Sequence, residues 1–324
     1  MENNKFKIYI GFITYNKNTA KYLQYFLPSL KNQTYKDYKI IAIDNSLEEN
    51  NDNKIYLEKN YPEIELKWQS GQNLGFAKAY NLMISQAVRA GAEYFLALNS
   101  DMILESNVLE KLVNELDNNK ELGSATAKTL KWDFVKQEKT NIIDSCGIKL
   151  LPGLRFVDYR EGMEDNENKD NKNYESEIIG PSGGSAIYRL SALEKVKFDK
   201  QYFDELMFMY KEDCDLAYRL FLSGFKSKCV VDAVIYHDRS SSGKGEDNLT
   251  VMLNRKNKSK LIKQLSFLNQ QIIFIKYWRL QSFKNKIAII WFEFKMLVFI
   301  LLFEKHLFEQ FMNLGRIKNK IIRY

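Results

Sequence analysis

The sequence predicts an α/β fold with a mainly parallel central sheet flanked by helices. In the first hundred residues, apolar runs of strand length alternate with segments of helical periodicity. Their connections are short, and this alternation is typical of parallel strands whose connecting helices cover both faces of the sheet. Acidic or polar side chains also follow several of these strands directly. The runs that we interpret as strands are residues 7–13, 38–44, 64–69 and 93–99.

Helices are predicted between the first and second strands, between the third and fourth, and directly after the last of them. Residues 18–30 form the first, and residues 107–117 follow the fourth strand. The segment 74–91 places Leu74, Ala77 and Ile84 on one face at helical spacing, and Gly91 is a suitable residue to end it.

The pattern changes after Asp101, and the predicted strands become shorter. A helix is predicted to start within residues 209–224. The polar, Asn-rich segment 164–177 has no periodic apolar face, so we interpret it as a loop, either a binding loop or a solvated insertion. The later strands are predicted near residues 125–130, 142–150, 155–159, 182–190 and 227–238.

The length and composition fit one large domain with an appendage. The chain has 324 residues, of which 45% are apolar, enough for a sizeable core. Three widely spaced cysteines argue against a disulfide framework and favour a reducing compartment. The first apolar run reads as a strand rather than a signal peptide. We therefore expect a cytoplasmic catalytic domain over residues 1–250 and a helical tail over residues 251–324.

The predicted tail carries most of the positive charge. Residues 251–324 contain 15 Lys and Arg and 3 Asp and Glu, a net charge of +12, whereas the rest of the chain has −5. Segment 287–303 is apolar but spans only 17 residues and contains Glu293 and Lys295, which argues against a spanning helix. We favour helices lying in the membrane interface at the inner face of the cell membrane. The alternative is a hairpin packed on the body or on a second subunit, as in a homodimer.

Four titratable side chains stand at the ends of predicted strands or at a helix start. Asp44 ends the second strand, Asp101 the fourth, and His237 the last, while Asp213 lies at the start of a helix. Because the carboxyl ends of parallel strands share one edge, Asp44 and Asp101 are expected to point towards a common crevice. Each residue alone is equally compatible with a turn or a helix cap.

Seven short motifs in order resemble the family 2 glycosyltransferases with a GT-A fold. The similarity covers about residues 7–245 and is greatest to the bacterial rhamnosyltransferase-like group. The motifs are ITYN at 13–16, IDNS at 43–46, NLGFAKAYN at 73–81, LNSD at 98–101, PSGGS at 181–185, MYKEDCDLAYR at 209–219 and YHDRSSS at 236–242.

The resemblance implies a metal-dependent, inverting transfer of a sugar from a nucleoside diphosphate donor to a hydroxyl. It makes Asp213 the base that takes the proton of the acceptor. Asp101 matches a ligand of a divalent cation, Mg²⁺ or Mn²⁺, and His237 matches a position that contacts the metal or the diphosphate. Asn99 stands where many relatives have Asp, so one carboxylate contact to the metal is in doubt.

The resemblance also implies a donor-binding set. Asp44 would accept from the N3–H of uracil or thymine, which favours a UDP- or dTDP-sugar. The first N–H groups of the helix after Asn73 and Gly75 would face the nucleotide, and residues 239–244 would close over phosphate oxygens. The complete set is Thr14, Tyr15, Asn16, Asp44, Asn73, Gly75, Phe76, Lys78, Asn99, Ser100, Gly183, Gly184 and Glu212.

Two further expectations concern the helix that begins near Asp213. A charged Glu212 would interact favourably with the helix dipole. Arg219 would pair with Asp215 four residues earlier.

We expect the acceptor to be a cell-surface glycan or a lipid-linked glycan, because the tail would hold the enzyme at the membrane. A sugar-nucleotide nucleotidyltransferase is the alternative, but residues 11–16 lack the glycine-rich basic signature it would need. A catalytically inactive relative is another alternative. Nucleic acid is not an expected partner, because the positive charge is confined to an aromatic helical tail.

Overall fold

The computed structural model describes residues 5–165, 178–238 and 259–323. Most of the loop predicted at 164–177 therefore lies outside the described residues. The same holds for the predicted phosphate-closing segment 239–244 and for the predicted domain boundary near residue 250.

Strands and helices alternate through the first hundred residues, as predicted. The strands are β1 (Ile8–Thr14), β2 (Tyr38–Asp44), β3 (Glu65–Trp68), β4 (Tyr94–Leu98), β5 (Met102–Leu104), β6 (Leu122–Asp133), β7 (Glu138–Ser145), β8 (Ile148–Leu151), β9 (Arg155–Asp158), β10 (Ser185–Arg189) and β11 (Lys226–His237). The α-helices are α1 (Asn16–Lys31), α2 (Asp52–Asn60), α3 (Gly75–Arg89), α4 (Val108–Asn118), α5 (Leu190–Val196), α6 (Glu212–Leu222), α7 (Lys260–Tyr277), α8 (Phe283–Phe303) and α9 (Phe308–Ile317).

One large sheet runs through the molecule in the order β3-β2-β1-β4-β10-β6-β11-β5, and β7 pairs with β6. The first four strands are parallel, as predicted. The other half is mixed, because β10 is antiparallel to both β4 and β6, β11 is parallel to β6, and β5 is antiparallel to β11. The sheet is therefore mainly parallel only in its amino-terminal half.

Helices cover both faces of the sheet, and the alternation of side chains along β1 shows how. Ile8, Ile10 and Phe12 are buried in the apolar layer formed with α1 and α4. Tyr9 belongs to the layer on the opposite face, which contains α3, α5 and α6. Complete burial of one large apolar side chain contributes about 1.5–3 kcal/mol, so these two layers supply the main stabilisation of the body.

The described part of the tail has two different environments. Helix α7 packs on the body: Ile272, Ile273 and Tyr277 are buried in one apolar cluster with residues of α6 and β8. Helix α8 has only Ile289 and Ile300 buried. Among the described residues, no helix combines the length and the apolar character needed to cross a bilayer.

Candidate active site

The mixed half of the sheet brings the predicted site residues together. Because β10 is antiparallel to β4, the start of β10 meets the carboxyl end of β4, and the Asn99 N–H donates to the Gly184 carbonyl at 2.9 Å. The pairing of β5 with β11 sets His237 opposite Met102, next to Asp101. The Asp238 N–H also donates to the Asp101 carbonyl at 3.1 Å.

These contacts surround a cavity of about 490 Å³. Asp101 also borders a neighbouring cavity of about 540 Å³, together with Ser100, Lys17 and Lys21. The predicted residues that line the first cavity are Phe76, Asn99, Asp101, Gly183, Gly184, Glu212, Asp213 and His237.

Three titratable side chains form a chain on one wall of the first cavity. His237 Nε2 lies 3.2 Å from Asp101 Oδ1, and His237 Nδ1 lies 2.9 Å from Asp144 Oδ2. Burial lowers the pKa of His237, but the charges and hydrogen bonds of Asp101 and Asp144 outweigh burial and raise that pKa to about 10. Asp144 thus fixes the ring so that Nε2 faces Asp101.

The donor set at Asp101 is compatible with a divalent cation. The buried Asp101 Oδ1 makes no well-aligned hydrogen bond among the described residues. A carboxylate that orients the other nitrogen of a ligating histidine is common at metal sites. No three His, Cys, Asp or Glu side chains within the described ranges form a metal-binding group by themselves. Asp101 would therefore supply one ligand, His237 would supply a second once a bound cation displaced the proton from Nε2, and substrate oxygens or water would supply the rest.

The Asp213 carboxylate lies at the start of α6 and faces the start of β10. Its Oδ2 accepts from the Gly183 N–H at 2.9 Å, and its Oδ1 accepts from the Cys214 N–H at 2.8 Å. A Cβ on Gly183 would lie 3.2 Å from Asp213 Oδ2 and 3.3 Å from the Phe76 ring. This approach explains a glycine at position 183, because the backbone must lie against the carboxylate.

Glu212 differs from the expectation of a charged residue at a helix start. Its side chain is buried, and Oε2 has no hydrogen-bond partner among the described residues. Burial, followed by the charge of Asp213, raises the pKa of Glu212 well above its ordinary value. This shift favours the neutral form of Glu212, whereas the expected interaction with the helix dipole requires the charged form.

The predicted ion pair on the same helix is confirmed. Arg219 Nε donates to Asp215 Oδ2 at 2.9 Å, and both side chains are buried.

Asp44 lies at the neighbouring strand ends, in a separate hydrogen-bond network. It is fully buried, and Oδ1 accepts from Thr14 Oγ1 at 3.0 Å and from the Ser46 backbone N–H at 3.1 Å. Its Oδ2 accepts from Asn51 Nδ2 at 2.7 Å. Asn16 borders this network, because its N–H donates to Ser46 Oγ at 2.8 Å. A nucleobase could therefore reach Oδ2 only by displacing Asn51.

The start of α3 does not form the phosphate cradle that the sequence suggested. The N–H groups of Phe76 and Ala77 donate to the Phe208 carbonyl at 2.8 and 3.1 Å. Asn73 Oδ1 accepts from the Gly75 N–H at 2.9 Å. The first N–H groups of this helix are thus occupied by protein oxygens.

The predicted donor-binding set also includes Lys78 and Tyr15. Lys78 is exposed on α3. The Tyr15 N–H donates to Thr19 Oγ1 at 2.9 Å.

The model of the family described as "Glycosyl transferase family 2" matches residues 9–197, more than half of the chain. The chain belongs to glycosyl transferase family 2. Curated proteins give no match. The family confirms the glycosyltransferase class predicted from the motifs.

Solved structures of glycosyltransferases resemble this family 2 chain at low sequence identity. GalNAc-T7, crystallised with UDP, GalNAc and Mn²⁺, has a TM-score of 0.54 and 13% identity over 72% of this chain and 44% of its own. TarS of S. aureus has a TM-score of 0.47 and 17% identity over 84% of this chain. Its 1–349 form has a TM-score of 0.48 and 17% identity over 83% of this chain and 72% of its own. The chain spans 44% of the length of GalNAc-T7 and of the longer TarS structure.

Three residues of this glycosyltransferase have roles that the sequence did not suggest. Asp144 orients His237, and its only signal was an acid at the end of an apolar strand. Asn51 directly precedes α2, a helix that we did not predict, and its side chain donates to Asp44. Asn269 lies on α7 in the predicted tail, and its side chain donates to carbonyls just before Asp213.

Proposed function

We propose that the chain transfers a sugar, rhamnose or another hexose, from a UDP- or dTDP-sugar to a hydroxyl, with inversion at the anomeric carbon. The observation that carries this proposal is that one cavity contains both an acceptor-side base, Asp213, and a possible cation site, Asp101 with His237. These two groups are what a single displacement needs at its opposite ends.

The residues of the cavity fit the steps of that displacement. The acceptor oxygen attacks the anomeric carbon while the bond from that carbon to the donor phosphate breaks. Asp213 takes the acceptor proton, and the Gly183 N–H holds the carboxylate in place. The diphosphate leaves on the side of Asp101 and His237. A divalent cation bound there would supply positive charge that stabilises the leaving diphosphate.

The donor is proposed to carry uracil or thymine. This rests on the position of Asp44 at the carboxyl end of β2, next to Thr14 at the end of β1. GalNAc-T7, which shares the fold, was crystallised with UDP and Mn²⁺. Because Asn51 occupies one Asp44 oxygen, the proposal requires this side chain to move when the base binds.

The acceptor is proposed to be a cell-surface or lipid-linked glycan, with the enzyme held at the cytoplasmic face of the membrane. The support is the outward face of α8, where Ile290, Trp291 and Phe294 are each more than half exposed. The mid-helix Glu293 turns inward instead, and Gln271 Nε2 donates to its Oε1 at 2.9 Å. Lys295 Nζ lies 5.2 Å from the centre of the Trp291 ring, and residues 251–324 carry a net charge of +12, which favours acidic lipid headgroups.

The function is tested with UDP-glucose, UDP-galactose, UDP-N-acetylglucosamine and dTDP-rhamnose, each with Mg²⁺, Mn²⁺ or a chelator. Release of UDP or dTDP with the wild-type chain supports the proposal. Asp213→Asn should lower that release by about 10²–10⁴-fold, because a neutral amide cannot accept the proton, while UDP binding persists. Unchanged turnover in this variant would show that Asp213 is not the base.

The same assay distinguishes the alternatives. A nucleotidyltransferase would release pyrophosphate from UTP or dTTP with a sugar 1-phosphate. An inactive relative would bind UDP and turn over none of the donors.

A further inference from the structure

The turn directly before Asp213 has an unusual backbone. Phe208, Tyr210 and Lys211 have φ angles of +56°, +69° and +68°. Residues with a side chain rarely adopt the left-handed region, and each such residue costs of order 1 kcal/mol. Three within four residues persist only where the surroundings fix them. Lys211 immediately precedes α6, so this turn sets where the helix and its Asp213 begin.

One side chain from α7 binds three carbonyl groups around this turn. Asn269 is fully buried, and its Nδ2 lies 2.8 Å from the Met207 carbonyl, 2.9 Å from that of Met209 and 2.7 Å from that of Tyr210. The opposite atom, Oδ1, has no hydrogen-bond partner among the described residues. Because three carbonyl oxygens converge at this point and only the nitrogen of the amide can donate to them, the Nδ2 atom of Asn269 must lie on this side.

The turn is held from the other side by α3. The Phe208 carbonyl accepts from the N–H groups of Phe76 and Ala77. Gly75 has a φ of +70°, and a Cβ there would lie 2.5 Å from the Phe208 ring. The turn is thus enclosed between the start of α3 and Asn269 of α7.

A second contact joins α7 to the first turn of α6. Lys276 Nζ lies 2.7 Å from Asp215 Oδ1 and 2.8 Å from Asp204 Oδ2, and the Tyr277 hydroxyl donates to Asp215 Oδ1 at 2.7 Å. Asn269 and Lys276 are seven residues apart, about two helical turns, so they lie on one face of α7. That face therefore fixes the chain on both sides of Asp213.

We propose that Asn269 is a positioning residue for the general base Asp213, and that α7 belongs to the catalytic domain rather than to the membrane-binding tail. This inference rests on the proposed function of Asp213. By donating its two amide N–H groups to the three carbonyls, with one N–H shared between two oxygens, Asn269 keeps the turn in its left-handed conformation. This turn keeps the Asp213 carboxylate against the Gly183 N–H, and there the carboxylate can contact the acceptor hydroxyl.

The test replaces the donor atoms of Asn269 with almost no change of shape. In Asn269→Asp, a carboxylate oxygen faces three carbonyl oxygens and repels them. We expect kcat for UDP or dTDP release to fall at least tenfold. The KM for the sugar nucleotide and the Kd for UDP with Mn²⁺ should stay within twofold, because the groups proposed to hold the base and the diphosphate, Asp44 and Asp101 with His237, lie on other elements. A general loss of folding would not separate kcat from KM in this way.

Gln271→Glu is the matched control. It is the same change from amide to acid on the same helix, but Gln271 faces Glu293 of α8 rather than the turn before Asp213. It should keep the wild-type kcat even where it lowers Tm as much as Asn269→Asp. An equal loss of kcat in the two variants, or wild-type kcat in Asn269→Asp, would overturn the proposal.

A measurement without substrate separates this inference from the proposed function. In Asn269→Ser, a single hydroxyl can satisfy only one of the three carbonyls. Hydrogen exchange at the amides of residues 208–214 should accelerate at least tenfold, while exchange in β1 and β4 stays unchanged. Unchanged exchange in the turn would refute the positioning role. If the wild-type chain released no nucleotide from any donor, the proposed function would fail while this structural result stood. If Asn269→Asp does not fold, Asn269→Ser provides the test of the positioning role.

Discussion

Two adjacent carboxyl groups at the start of α6 have different surroundings. Asp213 is partly exposed and accepts two backbone N–H bonds. Glu212 is buried beside it, and its Oε2 has no hydrogen-bond partner among the described residues. Burial, followed by the charge of Asp213, raises the pKa of Glu212 well above its ordinary value.

This difference predicts how stability depends on pH. The native state binds the Glu212 proton more tightly than the unfolded chain does. The stabilisation is complete below the ordinary pKa of 4.5 and is lost as pH rises from there towards the raised pKa of the folded state. Glu212→Gln has no proton to lose. Its Tm relative to wild type should increase between pH 5 and pH 8, and its free energy of unfolding relative to wild type should rise by less than about 1.4 kcal/mol per pH unit.

The groups that affect this titration are Asp213, Asp215, Tyr80 and Tyr188, and all of them remain in the variant. Glu138→Gln, at an exposed glutamate on β7, is the control and should show no such trend. A constant Tm difference between Glu212→Gln and wild type across this range would contradict the assignment of a neutral Glu212.

Sequence reasoning identified Asp101, Asp213 and His237 because each follows or begins an element whose pattern is strong. One cavity contains all three. Asp144 could not be found in this way, because its contact with His237 depends on how β7 pairs with β6 and shows no periodic signal. The raised pKa of Glu212 could not be predicted for a similar reason: its burial is set by tertiary packing, not by its place at a helix start.

At the scale of elements, the strong periodic segments were predicted and the weak ones were missed. Helix α2 buries only Asn53 and Leu57, so its apolar stripe is too narrow to be visible in the sequence. The strand predicted over residues 142–150 is two strands, β7 and β8. The chain turns between them at Gly147, where φ is +107°, and a single glycine in an apolar run gave no warning of this break.

Asn51 links α2 to Asp44, and this predicts a measurable cost of its removal. Its Oδ1 caps α2 by accepting from the N–H groups of Asn53 and Lys54, and its Nδ2 donates to the buried Asp44. Loss of a cap costs about 1 kcal/mol, and loss of a bond to a charged group costs about 1.5–3 kcal/mol. Asn51→Ala should lower the free energy of unfolding by about 2–4 kcal/mol in urea titrations.

Asn51→Ser separates the two contributions, because a serine hydroxyl can still cap the helix but is too short to replace the amide on Asp44. It should recover about 1 kcal/mol of the loss. If Asn51→Ala cost less than about 0.5 kcal/mol, Asn51 would not hold Asp44, and the carboxylate would be available to a nucleobase without displacement of this side chain.

At the scale of the whole molecule, composition predicts a tail from residue 251 onwards, and in the structure the first described helix of this segment packs on the body. Helix α7 carries several polar side chains that a sequence pattern assigns to solvent. In the structure, Asn269, Gln270, Gln271 and Lys276 are all buried with partners in the body or in α8. A polar residue whose partner is distant in sequence cannot be distinguished from a surface residue by periodicity.

Helix α8 has the opposite character, because its outward face is apolar. Phe294 is 56% exposed and Leu301 is 49% exposed, and they lie two turns apart on the same side. Contiguous apolar surface of this kind marks an interaction site. Residues 251–324 carry a net charge of +12, so the partner that we propose for this face is a bilayer with acidic headgroups.

Removing this apolar face should detach the protein from membranes. Insertion of two large side chains contributes about 3 kcal/mol, so Phe294→Ser with Leu301→Ser should weaken binding to phosphatidylglycerol vesicles roughly a hundredfold in sedimentation assays. Leu47→Ser with Val135→Ser removes apolar residues of the body that are more exposed than Phe294 and Leu301, and this variant should bind like wild type. If wild type ignored the vesicles and formed a dimer that the α8 variant dissociated, this face would be a subunit interface instead.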